Sequence, residues 1–187
     1  ISAHKMAGPT GIGCILVRRD AMAEMVPFMT GGSMIKRVTT EGSTFQEGHA
    51  MFETGTPRIA EAIGWGAAVE WLEQFDMKEI HEHINYVASW TASQMHEIPG
   101  IRVYGDPGRE DSSGAVSFLH ETIQSQDLAL LLDEGGFAVR TGHHCAQPLM
   151  DALGVPSTNR ASFWIYNTIE EAEFFVQHLR EVVDRFA

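Results

Sequence analysis

The sequence predicts an α/β fold, because short apolar runs bounded by glycine and proline alternate with segments whose apolar residues recur at helical spacing. From Ile101 onward the order reads β-β-α-β-loop-β-α, which suits a small α/β domain with helices on one face of a mostly antiparallel sheet. The stretch Ile1–Thr56 offers one strand and a hairpin but no sheet for them to join, so it does not complete a domain.

Gly11–Arg19 is an apolar, β-branched run between glycine and charge, and reads as a strand. Ala21–Met25 reads as a short helix stopped near Pro27. From Gly31 to Phe52 the pattern dissolves into Gly, Ser and Thr with weak alternation, as in a hairpin or extended excursion; a connection that long usually serves an interface or a site. Pro57 opens a helix along which Ile59, Ile63, Ala67, Trp71 and Phe75 recur. A second helix spans Met77–Ile98, with Ile80, Ile84, Val87, Thr91, Met95 and Ile98 on one stripe, and Pro99-Gly100 ends it.

Ile101–Tyr104 and Gly114–Leu119 are strands separated by a turn-rich loop, and Asp127–Glu134 is a helix closed by Gly135-Gly136. Phe137–Arg140 reads as a short strand, the Gly/His/Cys loop and a helical turn through Leu149 follow, and Arg160–Ile165 reads as another strand. Thr168 and Glu171 form a capping box that opens the last helix, whose buried face is Ala172, Phe175, Val176, Leu179, Val183 and Phe186.

Composition excludes several classes. A formal net charge of -12 argues against nucleic-acid binding, which needs clustered Lys and Arg. Only Cys14 and Cys145 occur, so there is no disulfide framework, and a reducing cytoplasmic setting is expected. No apolar run approaches the ~18 residues of a membrane span, and Ile1–Lys5 has neither the basic leader nor the apolar core of a secretory signal.

Three stretches carry chemistry. In Ser2-Ala-His-Lys-Met-Ala-Gly-Pro-Thr-Gly-Ile-Gly13, a lysine precedes a glycine-rich segment. Lys5 is either a solvated loop charge or a Schiff-base lysine beside small residues that admit a cofactor, with Ser2 and His4 in reach of its phosphate. In Arg140-Thr-Gly-His-His-Cys-Ala-Gln-Pro148, the charges of Arg140, His143 and His144 give Cys145 a positive setting that favours a nucleophilic sulfur. A buried structural cysteine is the alternative; His-His-Cys without a second ligand pair matches zinc sites poorly, and no metal is expected. Arg160, opening Arg-Ala-Ser-Phe163, is either a solvated surface charge or a bidentate grip on an amino-acid carboxylate.

SAHKMAGPTGIG, GGSMI, FETGTP, AVRTGHHCAQPLM and RASFWIYNT, in this order, resemble the SUF-type (group II) cysteine desulfurases over nearly the whole chain. These are fold-type I, aminotransferase-like enzymes that use pyridoxal 5'-phosphate (PLP). The resemblance implies the C-terminal part of such an enzyme: 1–76 as the end of the large PLP-binding domain, with an interface hairpin at about 31–52, and 77–187 as a linking helix and the small C-terminal α/β domain. It implies that Lys5 forms the Schiff base with PLP, that Ser2 and His4 hold the phosphate, and that Thr56 reaches the phosphate bound by a neighbouring subunit, hence a homodimer. Cys145 matches the sulfur-accepting nucleophile, Arg160 the carboxylate clamp and Arg140 an arginine of the active-site wall. The implied reaction converts L-cysteine to L-alanine, leaves a persulfide on Cys145 and passes the sulfur to a SUF-system acceptor for iron–sulfur cluster assembly.

Met51 stands where the family commonly has arginine, and Ala3 where it often has glycine. The family residues that contact the PLP ring precede the lysine, in an N-terminal half that this sequence lacks, so the chain alone is expected to bind PLP poorly and to be inactive. Selenocysteine lyase or another fold-type I PLP lyase, and a non-catalytic fragment serving dimerisation or docking, are the alternatives.

Overall fold

In the computed structural model, which describes residues 1–187, the chain divides into two units, Ile1–Phe75 and Asp76–Ala187. The first begins with a 3-10 turn at Ala3–Lys5, then a four-residue helix α1 (Arg19–Met22). Strands β1 (Ile35–Val38) and β2 (Ser43–Phe45) form the hairpin expected within residues 31–52, with Ile35 opposite Phe45 and an irregularity between Ile35 and Arg37. Thr39 closes its turn: its hydroxyl accepts from the Glu41 and Gly42 amides at 3.3 and 3.2 Å. A 3-10 segment at Gly48–Phe52 precedes helix α2 (Ile59–Leu72).

Two expectations for this unit need correction. Gly11–Arg19 is not a strand: only Gly13 is bridged, antiparallel to Ser2, and Ile15 and Leu16 are each 83% exposed. A β-branched run fits a pleated surface, but a strand exists only where a neighbour takes up its amides and carbonyls, and that pairing ends at Cys14, which exchanges both of its backbone bonds with Ile1. The short helix begins at Arg19, where the Met22 amide donates to Arg18 O, rather than at Ala21. In α2 the spacing located the helix, yet the Ile59/Ile63/Trp71/Phe75 stripe is exposed and Ala68 and Leu72 are the buried positions.

The second unit opens with helix α3 (Met77–Met95), capped by the Asp76 carboxylate, which accepts from the Lys78 amide at 2.7 Å. Strands β3 (Ile101–Tyr104) and β4 (Ala115–His120), helix α4 (Ser125–Glu134), strand β5 (Arg140–Gly142), helix α5 (Gln147–Leu153), strand β6 (Thr158–Ser162) and helix α6 (Ile169–Phe186) follow. The sheet runs β3-β4-β6-β5 with every pair antiparallel. One face carries Val116, Phe118 and Ala161, which join Ala88, Met95, Leu128, Leu132, Phe175 and Leu179 from α3, α4 and α6 in one core. The helices thus cover one face of an antiparallel sheet, as the order of elements implied.

Alternation along the strands then decides what the other face holds. Ser117 lies between Tyr104 and Arg160 in the register, and Arg160 lies opposite Arg140, so these four residues form a line across the face away from the core. Gly100 (φ 73°) shapes the entry to β3, since a Cβ there would run into the His120 ring.

The expected strand Phe137–Arg140 shifts to Arg140–Gly142. Residues before it are occupied in closing α4, with the Phe137 amide donating to Leu132 O at 3.0 Å, and pairing begins only where Arg140 meets Arg160. The expected strand Arg160–Ile165 shifts to Thr158–Ser162, because the Asn167 side chain accepts from the Trp164 amide at 2.8 Å and turns the chain. The Thr168/Glu171 capping box is formed, at 3.2 and 3.0 Å. On α6 the buried face includes Val182 and ends before Phe186, which is 49% exposed in the last turn.

This packing makes a testable distinction between two residues of α6. Leu179→Ala, at a fully buried position, should lower stability to urea by about 2–5 kcal/mol. Phe174→Ala, at a position 65% exposed, should change it by no more than about 0.5 kcal/mol. Equal losses would show that α6 packs on a different face.

Candidate active site

In the first unit the Ser2–Gly13 segment closes on itself. The Lys5 amide donates to Ser2 O at 3.1 Å, and the Met6 and Gly8 amides both donate to Ala3 O at 2.9 Å. The Ala3 amide donates to Ile12 O at 3.2 Å, beside the Ser2–Gly13 bridge, and Ala3 is fully buried. Gly8 has to be glycine-sized, since a Cβ would stand 2.9 Å from Ala3 O. The outcome is a fixed turn that leaves His4 and Lys5 exposed and Ser2 half-buried, with no ion pair made by Lys5. A primary amine flanked by a hydroxyl and an imidazole on a turn of this kind fits the aldehyde and phosphate ends of PLP.

Thr56 is exposed on a separate loop of the same unit. The GGSMI and ETGTP motifs are tied together there. The Gly55 amide donates to Gly32 O at 2.8 Å, and Thr54 Oγ1 lies 3.2 Å from Met29 O and 3.1 Å from Met34 Sδ. Met34 is fully buried, and a Cβ on Gly31 would stand 2.8 Å from Thr54 Cγ2.

The second unit brings three of the sequence-derived residues together. Arg140 and Arg160 face each other across β5 and β6, and Arg140 Nη2 donates to Cys145 Sγ at 3.5 Å. Cys145 is exposed and free. A cationic donor against an accessible sulfur is the setting of a reactive cysteine. The loop that presents it is unusual: His144 (φ 55°) and Cys145 (φ 61°) are consecutive left-handed residues, and neither is glycine.

His144 was read in the sequence only as a source of charge, and the structure gives it a second part. Its Nε2 lies 3.0 Å from both Thr158 O and Thr158 Oγ1. Since a carbonyl oxygen only accepts, Nε2 carries the proton and Nδ1 is left as an acceptor. Burial pushes the imidazole below its ordinary value of 6.5; the bond to the Thr158 backbone opposes this, and the charges of Arg160, Arg140 and His143 add to it. Neither Thr158 nor Asn159 stood out in the sequence. Asn159 is fully buried opposite Phe118, with neither amide atom partnered, and only the strand register reveals it. No group of three or more His, Cys, Asp or Glu is placed to hold a metal, and no helix is long and apolar enough to cross a membrane.

A chain with a turn-held lysine in one unit and an arginine-flanked cysteine in the other, an α/β unit, has clear counterparts among known proteins. Residues 1–175 match the aminotransferase class-V family, and the chain belongs to that family. It is 42% identical over 186 residues to a cysteine desulfurase of Haloferax volcanii, covering 100% of this chain and 43% of that protein. A probable cysteine desulfurase of Staphylococcus epidermidis is also 42% identical, with 45% of its length covered. Among solved structures, the cysteine desulfurase CsdA of Escherichia coli superposes with a TM-score of 0.92 at 34% identity, covering 100% of this chain and 46% of that one. The apo cysteine desulfurase of Thermococcus onnurineus gives 0.92 at 35% identity, covering 99% and 46%. The chain spans less than half the length of these relatives. The cystine C–S lyase C-DES, at 21% identity and a TM-score of 0.75, shares the fold.

Two measurements probe the loop. Arg140→Met should slow alkylation of Cys145 by iodoacetamide about three- to tenfold, and an unchanged rate would detach Arg140 from the sulfur. A histidine with a depressed folded pKa binds fewer protons folded than unfolded, so its contribution to stability is full at higher pH. That contribution is lost as pH falls from 6.5 toward the folded value. His144→Gln should therefore flatten part of the stability loss below pH 6.5, measured by urea unfolding.

Proposed function

We propose that this chain is the C-terminal part of a PLP-dependent cysteine desulfurase, which converts L-cysteine to L-alanine and carries the sulfur as a persulfide on Cys145. The observation that supports this most directly is the exposed Cys145, held in a left-handed loop with Arg140 on its sulfur and Arg160 on the same sheet face. Relatives named cysteine desulfurase, at about 40% identity over the whole chain, support the same reading.

Lys5 would carry PLP, with Ser2 and His4 on its phosphate; when bound, the cofactor supplies an electron sink for bond breaking next to the amino-bearing carbon. The Lys5 amine, released by the substrate, takes the α-proton. Arg160 receives the substrate carboxylate, for which its planar fork is suited. Cys145 attacks the substrate sulfur as a thiolate: the S–S bond forms, the C–S bond breaks, and its electron pair remains with the carbon fragment that is protonated to alanine.

In this reading residues 1–76 belong to the PLP-binding domain and 77–187 to the linking helix and small domain. Thr56 contacts the phosphate bound by a second subunit of a homodimer, and the hairpin of residues 31–52 packs at that interface. The exposed Ile15, Leu16, Val26 and Phe28 support a covering protein surface on the first unit. A SUF-type acceptor protein in the cytoplasm takes the sulfur for iron–sulfur cluster assembly.

The test uses the full-length enzyme loaded with PLP. Cys145→Ser should cut alanine release from cysteine by on the order of 10²-fold or more while leaving the bound-cofactor absorbance intact. Lys5→Ala should remove the absorbance of the lysine-bound cofactor along with the activity. Undiminished alanine release by the Cys145 variant would instead favour a lyase that needs no attacking thiol.

A further inference from the structure

We infer that His144 is a positioning residue that sets the Cys145 loop and the Arg160 clamp in register with each other. Through Nε2 it ties the loop to Thr158 on β6, and its Nδ1, left as an acceptor, serves the unpartnered Nε–H of Arg160, which a small shift of either side chain brings onto it. The inference deepens the desulfurase reading and rests on it.

Thr158 and Arg160 are two apart on β6, so their side chains leave the same face of the sheet. His144 reaches that face, because Nε2 lies 3.0 Å from Thr158 Oγ1. With Nε2 fixed as the donor to Thr158 O, Nδ1 is a lone acceptor; it is buried and without a partner. Arg160 Nε, a donor only, is likewise buried without a partner. Two orphaned groups of opposite sense on one face are most economically satisfied by each other, since a buried polar group left unmatched is costly. The Arg160 charge also acts on the His144 ring, which favours the neutral imidazole this contact needs.

The loop supplies the reason for an anchor. His144 and Cys145 both hold positive φ without being glycine, a conformation that persists only where its surroundings enforce it. The Ala146 amide donates to His143 O at 2.8 Å and closes the turn, but only the His144 ring fastens it to β6. His144 touches neither substrate nor cofactor in this scheme; it acts through the two residues that do.

Asparagine and glutamine separate the two functions, because an Asn carbonyl falls near the position of Nδ1 and a Gln amide near that of Nε2. In the full-length holoenzyme, His144→Asn keeps the acceptor toward Arg160 and loses the tie to Thr158. Its kcat should fall on the order of 10²-fold with KM for cysteine within about twofold, since a small misplacement of the attacking group is enough. Alkylation of Cys145 by iodoacetamide should slow about threefold as the sulfur leaves Arg140. His144→Gln keeps the tie and loses the acceptor. Its KM should rise about five- to tenfold, with kcat changed less and the alkylation rate unchanged.

Identical changes in both variants, or none in either, would overturn the inference. If His144→Asn does not fold, Thr158→Val, which deletes one of the two acceptors, should slow alkylation with KM unaffected; no slowing there overturns it as well. If the wild-type holoenzyme releases no alanine from cysteine, the desulfurase reading fails, while the alkylation contrast still decides whether His144 sets the loop.

Discussion

The C-terminal unit depends on one register. Ser117, Arg160 and Arg140 stand opposite one another across β4, β6 and β5, and Phe118 stands opposite Asn159 one step along. Because side chains alternate with a period of two, a slip of one residue in β6 would turn Arg160 into the helix-covered core and Asn159 out to the open face. Val116 and Phe118 on β4 make that slip prohibitive, since Ala161 would leave the core they line and the Arg160 charge would be forced in among them. The packing of α3, α4 and α6 therefore does more than stabilise the unit: by fixing which face is apolar, it fixes where two guanidinium groups must stand.

The register also explains how a strained loop survives. Two consecutive left-handed residues cost roughly 1–2 kcal/mol each when neither is glycine. The His144 ring meets a backbone carbonyl and a hydroxyl from a residue that is 1% exposed and locked in the sheet. Fastening the loop to a rigid strand, rather than to another loop, keeps the sulfur 3.5 Å from Arg140 while leaving it exposed.

Much of this was legible in the sequence, for reasons that differ by element. The α3 stripe and the capping box of α6 were readable because both are local: helical spacing and a Thr-x-x-Glu pattern act within a few residues. β3 was bounded correctly because a proline-glycine pair precedes it and a turn-rich loop follows it. β5 and β6 were each displaced along the chain, since a strand's limits are set by where its partner begins. The partnership of Arg140 with Arg160 spans twenty sequence positions that carry no periodic signal. The resemblance in the RTGHHCAQP stretch pointed to Cys145 and Arg140, but nothing in it distinguishes the histidine that faces solvent from the one that turns inward. That distinction comes from Thr158, whose unremarkable sequence context hides a fully enclosed side chain.

The two units differ in how far they account for themselves. The second buries aliphatic and aromatic side chains from three helices and two strands in one cluster. In the first, the buried apolar positions are Ala3, Met34, Ala68 and Leu72, while Ile15, Leu16, Val26 and Phe28 stand in solvent. Four small or flexible residues offset little of the entropy of ordering some seventy residues, at roughly 1–2 kcal/mol per residue for backbone alone. The turn that carries Lys5 is held by backbone hydrogen bonds around Ala3, and such bonds are worth only about 1 kcal/mol each when water can compete for them. Apolar burial over the exposed Ile15–Phe28 segment would add to these few bonds, at about 25 cal/mol per Å² of surface removed from water.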